Sequence, residues 1–63
     1  MCEFTVILEE NGEKKTIAEN VVKARRKERT VVLTNASGSL SKVGGATIEV
    51  VDTLMQELVL KKA

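Results

Sequence analysis

The chain has 63 residues and a formal charge of +1, with one Cys, one Phe and no His, Pro, Trp or Tyr. That length suits one small domain whose core needs a partner subunit, a metal or unusually good packing, since a single cysteine excludes an internal disulfide. The near-neutral charge argues against a whole-protein field for nucleic acid, no apolar run reaches the roughly 18 residues that span a bilayer, and the lack of His removes most acid–base and nucleophilic constellations, so neither membrane insertion nor an enzyme is expected.

Val, Leu, Ile and Ala supply the apolar mass, and frequent Val favours strands because β-branched side chains pack well on a pleated surface. Residues 2–9 alternate, with Cys2, Phe4, Val6 and Leu8 on one face and Glu3, Thr5, Ile7 and Glu9 on the other, the period of a strand. Asn11-Gly12 is a hairpin turn pair, because both residues accept positive φ, and residues 13–18 return as a second strand. Residues 20–27 open on a turn at Asn20 and alternate weakly. Residues 29–34 (Arg29-Thr30-Val31-Val32-Leu33-Thr34) are β-rich and read as a central strand. Asn35-Ala36-Ser37-Gly38-Ser39 is a turn by composition. A short strand at 39–43 follows, Gly44-Gly45 breaks it, and residues 46–51 form another strand. The C-terminus supports two readings. Val50, Val51, Leu54, Met55, Leu58 and Val59 fall at helical spacing, and a turn at 52–56 followed by a strand at 57–61 fits as well. The whole predicts an all-β domain over residues 1–63, a small antiparallel sheet curled into a barrel of Sm- or SH3-like size.

Cys2 is the residue best suited to chemistry. Initiator Met is usually removed before a small second residue, and an exposed terminal cysteine offers an amine and a thiolate to one metal in a five-membered ring. Two such termini across a two-fold axis supply two nitrogens and two sulfurs, a set suited to square-planar Ni(II) or Cu(II) and to tetrahedral Zn(II). One chain alone has neither imidazole nor a second thiol to complete a site. The competing reading is a packed apolar side chain on the face shared with Phe4, Val6 and Leu8. The opening Met1-Cys2-Glu3-Phe4 has no positive stretch followed by an apolar one, so no signal peptide is expected, and a free thiol fits a reducing cytoplasm.

Lys23-Ala24-Arg25-Arg26-Lys27-Glu28-Arg29 carries five positive charges and one negative in seven residues. Lys23, Arg25, Arg26, Lys27 and Arg29 are thus candidates for RNA phosphate contacts. The alternative is a solvated edge whose charges discourage strand-to-strand aggregation. No aromatic residues accompany the cluster to stack on bases. Lys42 is not at phosphate-loop spacing from the Gly-rich turns, and Glu49 and Asp52 have no catalytic partner placed by the sequence.

Met1-Cys2-Glu3-Phe4-Thr5-Val6-Ile7-Leu8, Asn20-Val21-Val22, Val31-Val32-Leu33-Thr34, the Gly38 turn and the ending Val51-Asp52-Thr53-Leu54 with Leu58-Val59-Leu60 together resemble the CooT-type small proteins. The resemblance spans nearly the whole chain, and Met1-Cys2 is its most specific element. It implies a small β-barrel homodimer and a nickel-binding accessory protein for carbon monoxide dehydrogenase maturation, with Cys2 carrying Ni(II) as chaperone or store. Members of the family also bear the label of RNA-binding proteins. The family's ending implies a turn and strand rather than a helix. Its last turn carries a His or other polar residue in many members, where this chain has Met55-Gln56. The readings from different classes are thus a nickel carrier using Cys2, an RNA-binding module using the basic segment, and a protein-interaction domain with a buried Cys2.

Overall fold

The computed structural model describes residues 3–62, and Cys2 lies outside the described residues. Six strands form one sheet: β1 (Phe4–Glu10), β2 (Glu13–Lys27), β3 (Thr30–Asn35), β4 (Leu40–Gly44), β5 (Ala46–Asp52) and β6 (Glu57–Lys62). Their spatial order is β4-β3-β2-β1-β6-β5. No helix occurs among the described residues, so the ending is the turn and strand. Residues 53–56 turn, and β6 carries Leu58 and Leu60 into the core.

The antiparallel expectation holds for every pair but one. β1 and β6 run parallel, from Thr5↔Glu57 to Glu9↔Lys61. The cause lies at Gly45, where β4 turns a corner with φ 71°. The Gly45 N–H donates to the Arg29 carbonyl at 2.7 Å. From there β5 leaves its sequence neighbour and crosses to the far end of the sheet, so the β5–β6 hairpin reaches β1 from the other side. β4 and β5 remain unpaired edges, and β3 and β5 approach one another, making a half-barrel instead of a closed one.

β2 spans what the alternation divides into two strands. Asn20 is not a turn between them but a kink within β2, at φ 58°. Its carbonyl accepts from the Ala36 N–H at 2.8 Å. Register shifts surround it: β2 uses an extra residue between Ile7↔Thr16 and Val6↔Ala18, another between Val6↔Ala18 and Phe4↔Val21, and a third between Val21↔Asn35 and Lys23↔Thr34. Such bulges bend a strand and increase its twist, which is how one long strand curls the sheet.

The concave side holds the core: Val6, Val21, Val31, Leu33, Ala46, Leu58 and Leu60 are buried. Phe4 and Leu8 pack against it, as the alternation of β1 requires. Asn11-Gly12 makes the expected turn, with φ of 55° and 80°.

Candidate functional site

Glu3 is exposed and leads into β1 at one end of the sheet. There the Thr5 N–H donates to the Gln56 carbonyl at 2.9 Å and starts the parallel ladder. This bond sets the β5–β6 turn beside the entry to β1. The turn is shaped locally: Asp52 Oδ1 accepts from the Met55 N–H at 2.9 Å, and Gln56 adopts φ 55°. Leu54 is 90% exposed and Met55 64%. Next to them opens a mostly apolar groove of about 230 Å³, lined by Phe4, Val21, Val22, Ile48, Val51 and Leu58, with Lys23 and Ala24 also on its wall. It is the open mouth of the half-barrel, where Ile48 and Val51 of β5 face residues 21–24 of β2 across a gap.

Among the described residues, no group of three or more His, Cys, Asp or Glu side chains could hold a metal ion. Glu3, Asp52 and Glu57 bring carboxylates to this end and Met55 a thioether, but no built cage. Hard oxygen ligands and a lone thioether suit Ni(II) poorly beside an amine and a thiolate.

The basic segment is divided by the pleat. Lys23, Arg25 and Lys27 share the convex face of β2, opposite Thr34, Val32 and Thr30 of β3. Across β3 the same rows continue to Leu40, Lys42 and Gly44 of β4. Arg26 pairs with Val31 on the other face, and its Nη1 donates to the Glu28 carbonyl at 3.2 Å. Arg29 lies in the two-residue turn between β2 and β3. The structure thus unites three of the five candidate cations, separates Arg26 and Arg29 from them, and adds Lys42. Lys42 joins through strand pairing 15 positions from Lys27 along the chain, and no local pattern signals it. β1 pairs with β2 only up to Val21, so Lys23–Lys27 has β3 on one side and an open flank on the other.

A family model for the CO dehydrogenase accessory protein CooT matches residues 1–61. The chain belongs to the CooT family. That membership includes Met1 and Cys2 within the matched residues. It assigns an accessory role at carbon monoxide dehydrogenase, distinct from the enzyme's own catalysis. Among solved structures, the crystal structure of a protein described as a CooT of Carboxydothermus hydrogenoformans is similar to it, with a TM-score of 0.86 at 19% identity over 98% of each chain. At that identity the likeness speaks to fold. No curated protein matches. For this CooT-family chain, the half-barrel is therefore an architecture also seen by crystallography.

Proposed function

We propose that this CooT-family chain is a cytoplasmic homodimer that carries Ni(II) for carbon monoxide dehydrogenase, held through Cys2 of both copies. The observation that carries the reading is the family match over residues 1–61, which includes the chain's single thiol. Nickel is the cargo, and the protein's part is to bind it and give it up.

Donor chemistry supports the assignment. One thiolate with one adjacent nitrogen is an incomplete set, and two copies double it. The position of the apolar groove supports the dimer. Phe4, Val22 and Val51 stand at the end where the chain enters β1, with Leu54 and Met55 beside them. A second copy covering this strip would bring two Cys2 residues toward one another while removing apolar surface from water. A reducing compartment keeps the thiol free for metal.

Nickel titration followed by native mass spectrometry tests the proposal. Wild type should take up one Ni(II) per two chains and develop thiolate-to-nickel charge-transfer absorption. Cys2→Ser should lose both while retaining the dimer mass. Unchanged nickel uptake in Cys2→Ser would overturn the reading. The same spectra report whether Met1 is removed.

A further inference from the structure

We infer that the convex face of β2, β3 and β4 is a docking surface for an acidic patch on carbon monoxide dehydrogenase. The inference rests on the accessory role and not on nickel binding at Cys2.

Lys23, Arg25 and Lys27 are all exposed and occupy alternate positions of one strand. Alternate residues of a strand are about 7 Å apart. Lys42 shares a row with Arg25, two strands away, with Val32 between them. Two strand spacings are about 10 Å. Arg25 therefore lies close to the screening length of about 8 Å at physiological salt from each of the other three, the outer pairs lie farther apart, and no Asp or Glu occupies their rows. The other half of the convex face is different. There Glu9 stands between Lys14 and Lys61, and Asp52 pairs with Glu57. Positive charge is thus gathered on β2–β4 and not spread over the sheet.

Edge protection accounts for charges here, since β2 beyond Val21 lacks β1 as a neighbour and β4 is an edge strand, but it does not require all four to be positive. Like charges at this spacing repel and bring the fold no stability. An oppositely charged partner turns that repulsion into attraction. Two features favour protein over nucleic acid. The only aromatic residue, Phe4, packs against the core on the concave side, so the convex face offers bases no aromatic platform and a single guanidinium, that of Arg25. In the row of Lys23, across Thr34, Leu40 is 65% exposed. An apolar anchor among rim charges is the make-up of a protein interface, where the charges guide encounter and the anchor fills a pocket.

The test measures binding of the full chain to nickel-free carbon monoxide dehydrogenase from the same organism, by biolayer interferometry. Single-stranded poly(U) serves as the competing polyanion. The variants are the reversal set Lys23→Glu, Arg25→Glu, Lys27→Glu and Lys42→Glu, its neutral counterpart with Gln at the same four positions, Leu40→Ser, and Cys2→Ser. Wild type should bind the dehydrogenase with affinity that falls as salt rises. The reversal set should weaken it by about tenfold or more, the Gln set by less, and Leu40→Ser by several-fold with little change in salt dependence. Should the reversal set fail to fold by circular dichroism, the Gln set carries the comparison. Cys2→Ser should dock like wild type while losing nickel, which separates failure of this surface from failure of the nickel site. Docking that is absent in wild type, or that survives all four Gln substitutions unchanged, overturns the inference. So does a wild type that binds poly(U) more tightly than the dehydrogenase through the same four residues.

Discussion

Leu60 is fully buried on the last strand, with Val6 of β1 buried beside its register partners. Truncating it leaves a cavity in a core too small to absorb one, so Leu60→Ala should cost about 3 kcal/mol, read as a lower urea midpoint with little change in slope. Asn35 illustrates a polar residue with structural work of its own. Its Oδ1 accepts from the Ser37 N–H at 3.1 Å, the Ser37 hydroxyl at 2.7 Å and the Ser39 N–H at 3.0 Å, which closes the β3–β4 turn. Asn35→Ala should destabilise by about 1 kcal/mol, and Asn35→Asp, which keeps the acceptor, should recover most of it in the same urea titration. Cys2 is a different kind of residue, since its chemistry is coupled to protons. Under the proposed nickel role, metal displaces the thiol proton, so nickel affinity should rise with pH and fall on acidification, as competition against a chelator at several pH values would reveal.

At the scale of elements, β2 decides the shape. Its kink at Asn20 requires positive φ, which Asn tolerates and a β-branched residue does not. Asn20→Val should therefore cost about 1–2 kcal/mol, and Asn20→Gly much less, measured by thermal melts of the two variants side by side. Most strands were legible because period-two alternation and turn residues are local signals: Phe4, Val6 and Leu8 face inward as their spacing requires, and Asn11-Gly12 turns. The continuity of β2 was not, because Asn20 at positive φ serves a bulge as well as it serves a turn. The parallel β1–β6 pair was not legible either, since it joins residues some 50 positions apart. The C-terminal helical spacing marks no common buried face: Leu58 is buried, whereas Val50, Val51, Leu54 and Met55 are all exposed. Only family resemblance chose the strand. For the basic segment, the sequence showed the charge and the pleat showed which charges act together.

The whole molecule has a radius of gyration of 10.7 Å and a shortest extent of 14 Å. The radius is what a compact chain of this length should have, about 11 Å, yet the half-barrel leaves its mouth open. A homodimer across that mouth predicts a melting temperature that rises with protein concentration, and Val51→Glu should remove that dependence and shift the mass to a monomer in sedimentation. The parallel pairing of β1 with β6 has a consequence for how the protein is made. Leu58 and Leu60 complete a core that Val6 began, so during synthesis the first hairpin has no finished floor to settle on. Local hairpins can form early, but the strand that joins the two ends of the sheet must leave the ribosome before the native core can close. Until then the apolar faces of the nascent strands stay open to chaperones, and the native sheet closes only after its late residues have arrived.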